Sequence, residues 1–236
     1  MKFLLRYRAA IVFLLIILLI IGIGFTEIVS PSKIAPEHQL VILNPLDKNN
    51  KNWKHRRFNK KKTTYQWVHS ALGGTIKATG NQSASMLYRN IDMPIANCHT
   101  MKWQWYVPQP QQKSDLRTKG KDDAAASVFV MFGNPGVLNL KPVNVLRYTW
   151  ANRHHRVGDI ITGPYQKKHV RTIIKRTGTL DVPSLASEQV DLLKDYKESF
   201  GEAPTMNIHG IAIFTDNDDT KEPITAHYGR IILECG

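Results

Sequence analysis

The heptapeptide Met-Lys-Trp-Gln-Trp-Tyr-Val at residues 101–107 alternates between two kinds of side chain. Successive side chains of a β-strand point to opposite faces, so the methionine, both tryptophans and the valine share one wholly apolar face. This face predicts a strand packed on a core, rather than a tryptophan pair that stacks on a sugar. Tyr106 lies on the opposite face with Lys102 and Gln104, and is therefore the candidate for ligand contact on this strand.

Short runs of strand-like composition recur along the chain and are separated by turn residues such as Gly73-Gly74. The runs are residues 65–68, 75–79, 85–89, 101–107, 127–132, 145–150, 170–175, 208–215 and 226–234. Repeated short strands with such turns predict a sandwich or barrel, and we expect a mainly β, jelly-roll-like β-sandwich. Residues 184–200 have apolar side chains at helical spacing before Gly201, which predicts one peripheral helix.

The first 29 residues carry the signals of a membrane segment. Lys2, Arg6 and Arg8 precede residues 9–25, in which every side chain is apolar or glycine. A helix over this run and the apolar residues just after it approaches the hydrocarbon thickness of ~30 Å. We expect residues 1–29 to form an N-terminal transmembrane helix that acts as an uncleaved signal anchor. A cleaved signal peptide is the alternative.

The basic residues before the apolar run favour a cytoplasmic N-terminus. This arrangement predicts a single-pass protein of the bacterial inner membrane whose body lies in the periplasm. Residues 30–39 contain two prolines and predict a short stalk, and residues 40–236 are expected to form a single β-sandwich domain. Cys98 and Cys235, the only cysteines, pair in such an oxidising compartment or remain as partly buried thiols, and both alternatives stay open.

The chain has a net charge of +13, and much of the excess lies between Lys48 and Lys62. Nucleic acid is a frequent partner of such a basic run, but an exported, tethered protein rarely meets it. We therefore expect no nucleic-acid partner. Anionic phospholipid headgroups or an acidic polysaccharide fit the compartment better, and a solvated basic loop is the alternative.

Two acidic strings supply the candidate polar site. Asp122 and Asp123 precede one predicted strand, and Asp216 and Asp218 follow another. Oxygen-rich loops suit Ca²⁺, so Asp216 and Asp218 are candidate Ca²⁺ ligands, although their loop lacks the central glycine of an EF-hand. Solvated turns are the alternative for both strings. A glycosidase would need two carboxyls about 5–9.5 Å apart across a groove, and the sequence leaves open which pair converges.

Trp150 ends the run 145–150 and precedes the polar residues 152–155. A terminal tryptophan beside polar side chains suggests a rim for a carbohydrate ring, with core packing as the alternative. The sequence contains no nucleophile elbow, no glycine-rich phosphate loop and no His-Glu-x-x-His metal motif. It therefore favours binding over catalysis.

Eight short motifs are spread in order over nearly the whole body of the chain. They are residues 83–89, 103–105, 122–126, 148–150, 195–196, 200–204, 215–218 and 228–229. Together they resemble the bacterial DUF3047 proteins, a family of unknown function. The chain departs from that pattern at Ser127, where arginine is usual, and at Asp219, where asparagine is usual. The resemblance implies an exported, sandwich-like domain whose acidic strings and Trp150 are worth testing together, and it brings no established activity.

The leading hypothesis is a membrane-anchored periplasmic domain that binds an envelope glycan or other anionic polymer without cleaving it. In this hypothesis Tyr106 and Trp150 supply apolar contact, and the four aspartates of the acidic strings bind hydroxyls or hold Ca²⁺. The basic residues of 54–62 meet anionic groups. The alternatives are a glycan-active hydrolase or lyase that uses paired carboxylates, and a scaffold for other envelope proteins.

Overall fold

The computed structural model describes residues 38–47, 52–59, 61–136 and 141–236. The predicted transmembrane helix (residues 1–29) and most of the predicted stalk lie outside these residues. In the described part of the chain, no helix is both long enough and apolar enough to cross a membrane. The first strand begins at His38, so the last two residues of the predicted stalk belong to the folded body.

The described residues form two β-sheets and one helix, joined by loops. Sheet A contains β1 (His38–Leu43), β3 (Thr64–Ser70), β4 (Gly73–Gly80), β6 (Thr100–Tyr106), β11 (Ala186–Asp191) and β13 (Ile224–Cys235). Sheet B contains β2 (Lys54–Arg57), β5 (Ala84–Met93), β7 (Ala126–Phe132), β8 (Asn144–Ala151), β9 (Ile160–Ile161), β10 (Val170–Thr177) and β12 (Ile208–Asp216). The helix, α1, is Leu192–Phe200.

The strand order in sheet A is β11-β6-β13-β4-β3, with β1 also paired to β13. The order in sheet B is β2-β5-β12-β7-β8-β10-β9. The pair β8–β10 is parallel, and the other described pairs are antiparallel. Strand β2 therefore forms one edge of sheet B, and β9 forms the other.

The two sheets pack face to face over an aromatic core. Trp103 and Trp105 of β6 contact Tyr148 and Trp150 of β8, with ring centroids 5.2 Å and 5.7 Å apart, respectively. All four rings are buried, and each such pair contributes ~0.5–1.5 kcal/mol beyond the burial of its surface. The alternation in residues 101–107 therefore predicted a core strand correctly, and the mainly β sandwich is confirmed.

The predicted helix over residues 184–200 is correct only in its second half. Ala186–Asp191 form β11, which pairs antiparallel with β6 at the edge of sheet A. Helix α1 begins after Asp191, whose Oδ1 accepts hydrogen bonds from two backbone N–H groups of the first turn, at 2.9 Å and 3.1 Å. Gly201 ends the helix with a φ of 83°, a left-handed conformation that glycine adopts without steric cost.

Cys98 and Cys235 form a disulfide bond, which decides between the two alternatives that the sequence left open. The bond links the loop before β6 to the end of β13. In addition, the backbone N–H of Gly236 donates to the carbonyl oxygen of Asn97 at 3.0 Å. The C-terminal strand is therefore fastened to the neighbouring loop both covalently and by a hydrogen bond.

Candidate functional site

A groove lies over the outer face of sheet B. Along β7, β8 and β12, alternate side chains build the core, and the side chains between them, including Phe129, Arg147 and Phe214, face away from it. A cavity of about 440 Å³ covers these three residues. Its lining residues are Phe58, Ala84, Leu116, Asp122, Phe129, Arg147, Gly163, Pro164, Tyr165, Gln166, Val170, Thr172, Phe214, Asp216, Asp218 and Asp219.

A second cavity of about 280 Å³ adjoins the first and shares four lining residues with it. The shared residues are Phe58, Phe129, Gln166 and Val170. We call the two cavities together the groove. The first cavity is its acidic end, because four aspartates line it.

The antiparallel pairing of β7 with β12 brings the two acidic strings together. Ser127 lies opposite Phe214 in this pair, so the residues just before β7 lie beside the residues at the end of β12. The backbone N–H of Ala124 donates to Oδ1 of Asp216 at 2.7 Å, and the N–H of Asp216 donates to the carbonyl oxygen of Ala124 at 3.2 Å. Both strings therefore meet at the acidic end of the groove.

Asp123 is buried and fixes the loop that follows β12. Its Oδ2 accepts hydrogen bonds from the backbone N–H and the hydroxyl of Thr220, both at 2.6 Å. Its Oδ1 accepts a hydrogen bond from the backbone N–H of Asp219 at 3.2 Å. Asp123 thus holds this loop against β7 from behind the groove surface.

Three carboxylates lie close together at the acidic end. One oxygen atom from each of Asp123, Asp216 and Asp218 lies within 4.8 Å of the other two. The side-chain amide of Asn59 donates to Oδ2 of Asp218 at 2.8 Å. Such a set of carboxylate oxygens has the chemistry of a Ca²⁺ or Mg²⁺ site. The pair Asp216 and Asp218, predicted as metal ligands, is joined in this cluster by Asp123.

Arg147 brings a guanidinium group to the acidic end of the groove, and the residue is 8 % exposed. Its Nε donates to Oγ of Ser127 at 3.1 Å, and its guanidinium lies 5.7 Å and 5.6 Å from the ring centroids of Phe129 and Phe214. Its Nη2 lies 3.8 Å from Oδ1 of Asp216, beyond hydrogen-bond distance. Among the described residues, this buried Nη2 has no hydrogen-bond acceptor.

The carboxyl groups of the acidic end retain protons more strongly than isolated carboxyls do. Burial raises the pKa of Asp216 well above its usual value, although the guanidinium of Arg147 opposes this effect. Burial also raises the pKa of Asp122 and of Asp218. Burial, together with a hydrogen bond to the carboxyl of Asp122, raises the pKa of Asp219 to about 6. At least one carboxyl of the groove therefore exchanges its proton near neutral pH.

Two predicted site residues lie elsewhere. Trp150 is fully buried. Its Nε1 donates to the carbonyl oxygen of Gly178 at 2.7 Å, and Gly178 belongs to the loop after β10, which covers this end of β8. The prediction that Trp150 forms a carbohydrate rim is therefore wrong. Tyr106 is on sheet A, where it is buried beside the ring of His227, with centroids 6.1 Å apart, and it does not line the groove.

The predicted acidic residues Asp122, Asp216 and Asp218 do line the groove. Four other residues of the groove were not predicted from the sequence, namely Phe58, Phe129, Arg147 and Tyr165. Strand alternation could have found Phe129 and Arg147, because both occupy positions between core residues on β7 and β8. The other two lie in loops, where no periodic signal marks them.

Several solved structures are similar to the described body. The family 11 carbohydrate-binding module of the cellulosomal cellulase Lic26A-Cel5E of Clostridium thermocellum has 9 % identity and a TM-score of 0.44, over 84 % of this chain and 95 % of that chain. The K1 cleaved adhesin domain of Lys-gingipain from Porphyromonas gingivalis W83 has 10 % identity and a TM-score of 0.44, over 84 % and 99 %. The xyloglucanase domain of NopAA, a type three effector from Sinorhizobium fredii, has 11 % identity and a TM-score of 0.43, over 85 % and 98 %.

No curated protein matches the chain. Residues 51–232, more than half of the chain, match the family described as a protein of unknown function, DUF3047. This match contains every strand that contributes to the groove, from β2 to β12, and both acidic strings. The chain therefore belongs to the DUF3047 family.

Proposed function

We propose that the groove binds a glycan. A sugar ring presents apolar C–H faces together with hydroxyl groups that donate and accept hydrogen bonds. The observation that carries the proposal is the presence of two exposed aromatic rings, Phe58 (54 % exposed) and Tyr165 (45 % exposed), in the same cavity as four carboxyls and one guanidinium. The rings offer surfaces for the apolar faces of the sugar, and the charged groups offer partners for its hydroxyls.

The test is glycan binding by the purified chain and two of its variants, on an array and by calorimetry. Phe58→Ala and Tyr165→Ala are each expected to weaken binding about 2- to 10-fold, the equivalent of ~0.5–1.5 kcal/mol for one aromatic contact. Trp67→Ala is the matched control, because Trp67 is also a partly exposed aromatic residue but lies on β3 of sheet A. Equal binding by all four proteins would contradict the proposal.

We also propose that the body works outside the cytosol, attached to the bacterial inner membrane through residues 1–29. The apolar run and its basic flank support this location. The disulfide bond between Cys98 and Cys235 supports it as well, because such bonds persist mainly in oxidising compartments. Fractionation of cells is expected to recover the full chain with the inner membrane, and protease added to spheroplasts is expected to degrade it. A freely soluble, protected chain would contradict this location.

Glycan cleavage is the second candidate function. Asp122 and Asp219 favour it, because both of their carboxyls line the groove, and because the pKa of Asp219, about 6, suits a general acid that works near neutral pH. Asp122, whose carboxyl is hydrogen-bonded to that of Asp219, would be its proton partner. If the protein cleaves glycans, it releases soluble products from envelope polysaccharide, and Asp219→Asn stops the release while glycan binding remains. If the protein binds glycans but releases no soluble products, glycan cleavage is excluded and glycan binding remains.

A further inference from the structure

The three carboxylates at the acidic end are already spaced for one Ca²⁺ ion. Ca²⁺ binds oxygen at 2.3–2.6 Å, so two ligands on opposite sides of the ion are ~4.6–5.2 Å apart. One oxygen each of Asp123, Asp216 and Asp218 lies within 4.8 Å of the others, so the three fit around one ion. Ca²⁺ also accepts irregular coordination, and further oxygens can come from water or from a sugar.

Arg147 gives an independent indication of a ligand at the same place. Its side chain is about nine-tenths buried, it lines the cavity, and its Nη2 has no hydrogen-bond acceptor among the described residues. Buried donors in folded proteins are nearly always paired. A guanidinium beside a cation would be repelled unless an anionic group lay between them. Asp216 Oδ1 is such a group, but at 3.8 Å it lies too far to accept a hydrogen bond from Nη2, so an oxygen atom with negative charge from a ligand can still supply that acceptor.

The rest of the groove has the opposite charge. Arg56 and Lys141 line the second cavity, and no aspartate or glutamate does so among the described residues. Without a metal, the four carboxyls of the acidic end would repel an anionic chain that lay along the groove. A divalent cation at the acidic end would remove this repulsion and would let one anionic polymer contact both ends.

We infer that the groove recognises an acidic glycan, a chain of sugars that carry carboxylates, through a Ca²⁺ ion held by Asp123, Asp216 and Asp218. One sugar carboxylate bridges the ion and Arg147, and a neighbouring carboxylate meets Arg56 or Lys141. Asp123 already accepts three hydrogen bonds, which leaves its carboxylate with one further lone-pair position for the ion. This inference rests on the proposed glycan binding in the same groove.

The first experiment titrates CaCl₂ alone into the purified full chain after treatment with EDTA, by calorimetry. One ion per chain is expected to bind. Asp218→Asn is expected to weaken its binding at least about tenfold, because the number of charged ligands sets Ca²⁺ affinity. Asp181→Asn, the same change at an exposed carboxyl outside the groove, is the control and should bind like the wild type. Asp216→Asn is the second variant if Asp218→Asn does not fold. No Ca²⁺ binding, or equal binding by Asp218→Asn, would overturn the cation site.

The second experiment compares a short oligouronate with a neutral oligosaccharide of the same length, each with Ca²⁺ and with EDTA. The oligouronate is expected to bind only with Ca²⁺, and Arg147→Lys is expected to lose oligouronate binding but retain Ca²⁺ binding. Equal binding of both sugars with or without Ca²⁺ would overturn this inference and leave the proposed glycan binding intact. If no sugar binds although Ca²⁺ does, the proposed function and the acidic-glycan inference both fail, while the cation site stands.

Discussion

Thr220 donates two hydrogen bonds to a single oxygen of Asp123, one from its backbone N–H and one from its hydroxyl, both at 2.6 Å. Because Asp123 is buried, its carboxyl oxygens depend on these donors and on the N–H of Asp219 for their hydrogen bonds. This contact joins the segment before β7 to the loop after β12. It therefore holds the acidic end of the groove in shape.

Thr220→Val tests this contact, because valine has a similar shape but lacks the hydroxyl. We expect the free energy of unfolding to fall by about 1–3 kcal/mol, since a buried carboxylate loses one of its three donors. Urea denaturation measures the change. Thr79→Val is the control, because Thr79 is exposed on β4, and it should leave stability almost unchanged. Equal effects of the two substitutions would show that the Thr220 hydroxyl does not stabilise the loop.

Trp150→Ala is expected to destabilise the protein by about 3–5 kcal/mol, because it leaves a cavity between the sheets. Trp67→Ala should cost less, since Trp67 is 41 % exposed. Thermal unfolding followed by circular dichroism compares the two variants. If Trp150→Ala kept its stability and lost only glycan affinity, the burial of Trp150 would be wrong and the carbohydrate rim would regain support.

Loss of the disulfide bond between Cys98 and Cys235 should lower the free energy of unfolding by about 2–5 kcal/mol, because the bond closes a long loop in the unfolded chain. The measurement is the Tm with and without dithiothreitol. The double variant Cys98→Ala/Cys235→Ala is the control: it should have the lower Tm under both conditions. A wild-type Tm that does not respond to reductant would contradict the prediction, provided that thiol titration shows the bond to be reduced.

The stability of the wild type should include a pH-dependent contribution from Asp219. Its pKa is about 6 in the folded protein and about 4 in an unfolded chain. Between about pH 4 and pH 6, Asp219 is therefore mostly protonated in the folded protein and mostly ionised in the unfolded chain. Stability from this group is therefore present at low pH and decreases as the pH rises through this interval. Asp219→Asn should show a smaller decrease in Tm between pH 4.5 and pH 7.5 than the wild type. Asp181→Asn is the control, and its Tm should change with pH as the wild-type Tm does. If the Tm of Asp219→Asn decreased as much as the wild-type Tm, the raised pKa of Asp219 would be contradicted.

Side-chain alternation made the central strands predictable from sequence, because these strands bury one face. Residues 101–107 show this best, since each of their tryptophans is buried between the sheets. Strands β2 and β11 were missed because they are edge strands and carry mostly polar side chains. In β2 all four residues are exposed, so no burial pattern exists to read.

The site was predictable only in part, because its position depends on pairing between distant strands. The two acidic strings were identified as candidates, and the β7–β12 register explains why they meet. Trp150 was misplaced because the loop at Gly178 covers the end of its strand, and a sequence pattern gives no sign of that cover. Arg147 was missed because its position on β8 predicts an outward direction but not the two phenyl rings that enclose it.

The outermost position of β2 in sheet B has a consequence for how copies of this protein behave toward one another. An open strand edge exposes unpaired backbone groups that can recruit a strand from a second molecule and begin aggregation. Here the edge consists of Lys54, His55, Arg56 and Arg57, all exposed. Two such edges repel each other when they approach, so the positive charge of β2 opposes edge-to-edge association between copies of the protein.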